Sequence, residues 1–146
     1  MAVVIDANLV VILAAKDPRA GMVERHMQAW LDAGEELHAP SLLPYEVANA
    51  LTRLIAAGRL ASGDLAEAWA LVEAIPIQLH PLTAGPQVIE TALRLHRASA
   101  YDAAYLVLAQ QLGAELWTLD GPSHAMPRGS GSQCTSSGRG NCPGRG

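Results

Sequence analysis

The stretch that decides the fold is VVIDANLVV, residues 3–11, in which three β-branched apolar residues run directly into a carboxylate, Asp6. Such a run is typical of a strand that is buried on both faces of a sheet. A buried carboxylate without a partner is costly, so Asp6 needs a partner or a place at the rim of the core. The stretch therefore predicts a buried strand that ends at a charged site.

Composition predicts one globular domain followed by a polar tail. The 146 residues are 50% hydrophobic and 16% charged, which favours a packed aliphatic core over disorder. No apolar run approaches the ~20 residues of a membrane span and no signal-like segment opens the chain, so we expect a cytoplasmic protein without membrane association. Residues 1–126 are expected to form the domain. Residues 127–146, which are rich in Gly, Ser and Arg, are predicted to be disordered.

Charge is distributed unevenly along the chain. Residues 1–126 carry 14 Asp and Glu against seven Lys and Arg, a net charge of −7, whereas residues 127–146 carry three Arg and no acid. The folded part therefore lacks the basic excess that is usual in nucleic-acid-binding proteins. A role in phosphate chemistry would require cations that reverse the sign of the site. The two cysteines lie in the tail and do not indicate a disulfide framework.

Strand-like and helical segments alternate in the order βααβααβααβ. The strand-like segments are residues 3–5, 37–39, 77–82 and 115–119, and glycines such as Gly113 mark the ends of the helices between them. This alternation predicts an α/β fold with a parallel sheet of about four strands flanked by helices.

Two of the predicted strands end in acids, Asp6 and Asp120. Sites in open α/β sheets form at the carboxyl ends of the strands, where two close carboxylates are unfavourable without a cation. Two more acids begin helices with apolar surroundings. Glu46 borders an apolar stripe and shares its face with Asn49, while Asp102 in a first helical turn is also explained by the helix dipole alone.

These acids and their neighbours resemble the PIN-domain family of metal-dependent ribonucleases, most closely the VapC-like toxins of type II toxin–antitoxin systems. The matching stretches are VVIDANLVV, YEVANALTRL and SAYDAAYLVLAQQLGAELWTLD, followed by Gly121. The resemblance implies a three-layer PIN-like α/β fold. Family members usually continue with a further helix and a fifth strand. Here the usual fifth edge strand is expected to be missing, which would leave residues 115–119 as an exposed sheet edge.

The resemblance also implies a site of four acids, each both catalytic and metal-binding, with supporting polar residues. Such a site would hold Mg²⁺ or Mn²⁺, because hard cations prefer oxygen ligands. Water activated by the metal would then hydrolyse RNA phosphodiesters by in-line attack. The four acids are Asp6, Glu46, Asp102 and Asp120, and the supporting residues are Asn8, Asn49 and Thr118.

The partners implied by the resemblance are an RNA substrate, a cognate antitoxin protein and a second copy of the chain in a homodimer. Two alternatives remain open. One is a catalytically inactive PIN-fold interaction module. The other is a haloacid-dehalogenase-like phosphatase or a receiver domain, which also places an Asp after the first strand but calls for a late lysine. The single lysine of this chain is the early Lys16. The five histidines show no metal-ligand spacing, and most are expected at the surface.

Overall fold

The computed structural model describes residues 1–96, 99–119 and 121–123, the last three by their backbone alone. These residues form one five-stranded sheet with the order β3–β2–β1–β4–β5, flanked by α-helices. The strands are β1 (Ala2–Ile5), β2 (Glu36–Pro40), β3 (Ile77–His80), β4 (Glu115–Thr118) and β5 (Gly121–Ser123). The helices are α1 (Ala7–Ala14), α2 (Ala20–Asp32), α3 (Leu43–Ala56), α4 (Leu65–Ala74), α5 (Gly85–Arg94) and α6 (Tyr101–Leu112), with one turn of 3₁₀ helix at Ser62–Asp64.

Strand β1 lies at the centre of the sheet and pairs in parallel with β2 and β4. Strand β3 continues the parallel sheet beyond β2. Val4 and Ile5, whose side chains point to opposite faces, are both fully buried. The predicted α/β fold with four parallel strands is confirmed, and the apolar run before Asp6 is explained because helices cover both faces of β1.

The helices divide into two groups. Helix α1 contacts α2, α3 and α4, while α6 packs against β1, β2 and β4 and also contacts α5. Helix α3 turns a stripe of Leu43, Val47 and Leu51 into the core, at the four-residue spacing of an amphipathic helix. Helix α6 ends at Gly113, which has the left-handed φ of 61° that glycine adopts without strain.

The expectation that the fifth edge strand is missing was wrong. Gly121–Ser123 forms β5 and pairs antiparallel with β4, with Thr118 opposite Gly121. Two residues separate these partners in the sequence, the spacing of a tight hairpin. Pro122 lacks an N–H group and is therefore suited to an edge strand. Strand β4 is covered on both edges, so residues 115–119 are not the exposed edge that the sequence suggested.

The boundary at Met126 and the predicted disorder of residues 127–146 lie outside the described residues, so both stay predictions. Within the described residues, no helix combines the length and apolar character that crossing a bilayer requires.

Candidate active site

Asp6 lies at the carboxyl end of β1, the central strand from which the sheet extends to both sides. The chain passes from β1 to β2 and β3 on one side and returns to β4 on the other. Such a change of direction opens a crevice at the carboxyl ends of the strands, where α/β proteins bind ligands. The backbone N–H of Asp6 donates to the carbonyl of Trp117 on β4 across 3.0 Å, which extends the β1–β4 ladder by one residue. Asp6 is also the N-cap residue of α1.

The Asp6 carboxylate is half-buried, and its surroundings act on its pKa in opposite directions. Burial raises its pKa, while the backbone N–H groups of Asn8 and Ala7 and the Asn8 side chain act in the opposite direction. The Asn8 amide donates to Oδ2 of Asp6 across 3.3 Å. The negative charge of Asp102 raises the pKa of Asp6 further. The contacts of Asp6 within the described part of the chain therefore do not fully offset the cost of burying its ionised carboxylate.

Glu46 occupies the first turn of α3 and is held by a tyrosine from a distant helix. The hydroxyl of Tyr105, on α6, donates a hydrogen bond to Oε1 of Glu46 across 2.8 Å. Burial raises the pKa of Glu46, the Tyr105 hydrogen bond partly offsets this rise, and the charges of Asp6 and Asp102 add to it. Tyr105 is itself buried, and burial together with Glu46 raises its pKa far above the ordinary tyrosine value. Tyr105 therefore stays a hydrogen-bond donor at any physiological pH.

Three carboxylates from distant parts of the sequence thus lie within range of mutual repulsion. Glu46 is affected by both Asp6 and Asp102, and Asp6 is affected by Asp102. Asp102 is in the exposed first turn of α6. Among the described residues, no three Asp, Glu, His or Cys side chains form a group that could hold a metal ion. The structure therefore brings three of the predicted acids into one region without a compact ligand cluster.

The supporting residues differ in how closely they approach these acids. Asn8 contacts Asp6 directly, as described above. Asn49 is exposed on α3, one turn beyond Glu46. Thr118 is the last residue of β4, half-buried and opposite Gly121 of β5. The fourth predicted acid, Asp120, lies outside the described residues.

Sequence reasoning assigned no role to Tyr105, although it stands in the quoted stretch SAYDAAYLVL. The signal that could have identified it is its spacing from Asp102, because residues three positions apart share one face of a helix. A tyrosine on the same face as a predicted site acid is placed to donate a hydrogen bond toward the site.

The chemistry of these donors fits a hard divalent cation. Carboxylate oxygens are the ligands that Mg²⁺ and Mn²⁺ prefer, and Mg²⁺ is commonly held by only one or two carboxylates with several waters. A cation placed among Asp6, Glu46 and Asp102 would turn their mutual repulsion into attraction.

The chain as a whole is similar to several known proteins. The family model described as "PIN domain" matches residues 3–122. Ribonuclease VapC3 of Pyrobaculum aerophilum is 33% identical over 127 residues, which cover 82% of this chain and 90% of that protein. Ribonuclease VapC9 of Mycobacterium tuberculosis is 30% identical over 111 residues, covering 75% of this chain and 85% of that protein.

The fold has a solved counterpart. The crystal structure of PAE2754 from Pyrobaculum aerophilum superposes with a TM-score of 0.62 at 24% sequence identity, covering 82% of this chain and 75% of that one. At this identity the likeness concerns the fold alone.

Proposed function

This chain belongs to the PIN domain family, and from that membership we propose that it is a metal-dependent endoribonuclease, the toxin of a VapC-like toxin–antitoxin pair. The observation that carries the proposal is the proximity of Asp6, Glu46 and Asp102 at the carboxyl edge of the sheet. In addition to burial, the charge of Asp102 raises the pKa of both Asp6 and Glu46, and the charge of Asp6 raises that of Glu46. Repelling acids of this kind are useful to a protein when a cation joins them. The names of the VapC ribonucleases quoted above support RNA as the substrate.

In this proposal, the cation is Mg²⁺ or Mn²⁺ and its ligands come from Asp6, Glu46, Asp102 and Asp120. When bound, the cation supplies activation of the attacking water and stabilisation of negative charge on the phosphate. The side chains of the protein hold the proposed ligands in place. Asn8 holds the Asp6 carboxylate through its amide, and Tyr105 holds that of Glu46 through its hydroxyl. Asn49 and Thr118 would supply further polar support.

The activity is tested with end-labelled RNA incubated with the full chain and Mg²⁺ or Mn²⁺. We expect cleavage that EDTA abolishes and that Asp6→Asn reduces by orders of magnitude. Asp32→Asn is the matched control, because Asp32 is a surface residue of α2 whose contact is with Gln28 of the same helix. Cleavage by Asp6→Asn at the wild-type rate would refute the site. Absence of cleavage by the wild-type chain would favour the alternative of an inactive PIN-fold interaction module.

Two protein partners belong to the same proposal. A cognate antitoxin would hold the toxin inactive in the cytoplasm, and a basic segment of that antitoxin would suit the net charge of −7 on residues 1–126. A second copy of the chain is the other partner. Support for a homodimer comes from Ile89 and Leu93, which lie one turn apart on α5 and are 58% and 68% exposed, and from Leu82 nearby in the sequence, which is 67% exposed. Exposed apolar side chains grouped in this way are typical of an interface.

A further inference from the structure

A cleft of about 360 Å³ beside the candidate active site is lined by three basic side chains, Lys16, Arg19 and Arg59. The structure describes six Lys and Arg side chains, so half of them meet in one cleft. This grouping stands out because residues 1–126 carry twice as many acids as bases. Charges that serve only solubility are normally interspersed over the surface. The cleft is therefore a local positive region on an acidic domain.

The cleft is continuous with the candidate active site. Its wall includes Asn8, whose amide donates to the Asp6 carboxylate across 3.3 Å. The wall also includes Leu119, which directly follows β4. A polymer that lay across Asp6 could thus continue into the cleft without crossing the acidic surface elsewhere.

The three basic groups are available to an incoming anion. Arg59 is exposed and lies within ion-pair distance of no acidic side chain that the structure describes, although its charge contributes to lowering the pKa of Asp17 in the same cleft. Lys16 contacts Glu67 across 2.9 Å, but both side chains are about 70% exposed. Arg19 contacts Asp17 through two hydrogen bonds of 2.9 and 3.1 Å, also at the surface. Exposed ion pairs are weak, whereas Arg bound to phosphate forms strong charge-assisted hydrogen bonds.

The positive region ends where the cleft borders a second cavity with acidic walls. A second cavity of about 200 Å³ shares Lys16 and Arg59 with the cleft, but its other walls include Asp64 and Glu67. The sign of the charge therefore changes at Lys16 and Arg59. Lys16 also ends α1 with a left-handed φ of 51°, a conformation that glycine adopts more readily. A lysine is thus present at this corner in spite of a backbone cost.

We propose that this basic cleft binds phosphate groups of the RNA strand that flank the cleaved bond. The proposal rests on the ribonuclease function proposed above. Arg59 provides the main contact, with Lys16 and Arg19 exchanging their carboxylate partners for phosphate. Contacts of this kind fix the register of the strand at the carboxylates and carry no base specificity. They also explain how an acidic domain can retain a polyanion next to a cluster of acids.

The first test measures binding of a fluorescent, random-sequence single-stranded RNA to the full chain by anisotropy, in EDTA and at several salt concentrations. Arg59→Gln should weaken binding and reduce the slope of log K against log salt by about 0.7, the value for one lost phosphate contact on a single strand. Arg94→Gln is the matched control, since Arg94 is on α5 and contacts Thr91. Equal binding and equal slopes for these two variants would overturn the proposal.

A gain of binding provides a second, independent test. Asp17→Asn removes the carboxylate that holds Arg19, while the amide oxygen can still accept the backbone N–H of Arg19. We expect RNA binding to tighten more in this variant than in Asp32→Asn, which changes the net charge equally but lies outside the cleft. Thermal melts of both variants check that the fold is retained. Equal tightening in the two variants would contradict a local role for the cleft.

The outcomes separate this inference from the proposed function. If the wild-type chain cleaves RNA and Arg59→Gln leaves KM and kcat at the values of Arg94→Gln, the cleft proposal fails while the ribonuclease proposal stands. If the wild-type chain neither binds nor cleaves RNA, both fail. A polyglutamate peptide that binds through Arg59 while RNA binding is insensitive to Arg59 would assign the cleft to an acidic protein partner and overturn the proposal.

Discussion

The Tyr105 hydroxyl donates a hydrogen bond to the Glu46 carboxylate across 2.8 Å, and the two residues are 59 positions apart in the sequence. This bond ties the first turn of α3 to α6, the helix that also carries Asp102. Because Tyr105 is only 3% exposed, its hydroxyl proton needs an acceptor within the protein, and Glu46 provides it. The pair therefore sets the position of one proposed metal ligand relative to another.

Replacing Tyr105 with Phe removes the only hydrogen bond shown to position Glu46 within the described residues. We expect the free energy of unfolding to fall by about 1 kcal/mol, the net value of one such bond. Burial raises the pKa of Glu46 and the bond offsets part of that rise, so its loss should raise the pKa further. The acidic limb of the pH–rate profile for RNA cleavage should then move to higher pH.

The control for this change is Tyr101→Phe, because Tyr101 begins the same helix but is 60% exposed. It should leave both stability and the pH profile close to wild type. A Tyr105→Phe enzyme whose pH profile coincides with that of Tyr101→Phe would show that the hydrogen bond does not position the proposed ligand.

Asp6→Asn should make the metal-free protein more stable. Burial raises the pKa of Asp6 above its unfolded value of 3.8, so ionising this acid favours the unfolded state. The resulting loss of stability develops as the pH rises above 3.8 and reaches its full extent once the pH exceeds the raised pKa of the folded state. Asparagine cannot ionise, so thermal melts in EDTA at neutral pH should give a higher Tm for the variant than for wild type.

Added Mg²⁺ or Mn²⁺ should make wild type more stable than Asp6→Asn. A ligand that binds only the native state adds about 2.7 kcal/mol at a hundred times its Kd. Wild type should therefore gain Tm with metal, and Asp6→Asn should gain much less, while Asp32→Asn should behave as wild type. A wild-type melt that is unaffected by millimolar metal would contradict the proposed set of ligands.

The parallel sheet could be predicted from the sequence because the signals that mark its strands and helices are local. The buried run before Asp6 and the glycine after α6 each mark an element boundary within a few residues. Strand β5 was missed because a three-residue strand containing Gly and Pro shows no alternation of apolar and polar residues. It forms because the short connection after β4 brings it to an open sheet edge.

Contacts between distant residues could not be predicted from the sequence, and the reason is different. The partner of Glu46 depends on how α3 and α6 pack, which no spacing along the chain encodes. The same holds for His38, which is 4% exposed on β2 although most of the histidines were expected at the surface. Its Nδ1 lies 2.8 Å from Nε2 of His80 on the neighbouring strand. The basic cleft likewise joins residues from α1, the loop after it and the end of α3.

The pairing of Asp17 with Arg19 should make the corner between α1 and α2 sensitive to acid. Hydrogen bonds from the Arg19 side chain and backbone lower the pKa of Asp17 from 3.8 to about 2. The stabilisation is therefore complete above pH 3.8 and is lost as the pH falls through about 2. We expect unfolding measured by denaturant to show a steeper loss of stability over this interval in wild type than in Asp17→Asn. The difference should shrink in high salt because the pair is exposed.

The exposed stripe on α5 should control self-association. Leu93→Lys places a charge where an apolar side chain is 68% exposed, so the fold should be retained while a dimer would lose apolar contact. Light scattering coupled to size exclusion should shift from dimer toward monomer. Leu31→Lys, at a 39% exposed position on α2, is the control and should stay dimeric. If both variants keep the wild-type mass, the interface lies elsewhere on the chain.

Removing residues 127–146 should leave the metal response intact. Gly121–Ser123 is the last strand, within the described residues, of the sheet that positions the acids. The deleted segment is dominated by Gly, Ser and Arg, which supply little apolar surface to bury. Strand β4 offers no uncovered edge for aggregation, because β5 pairs along it. The truncated chain should therefore keep both its metal-induced rise in Tm and its mass in solution. Limited proteolysis of the full chain should remove the tail first, leaving a resistant fragment with the same melt. Protection of the tail, or loss of the metal-induced rise after its removal, would mean that the domain extends past Met126.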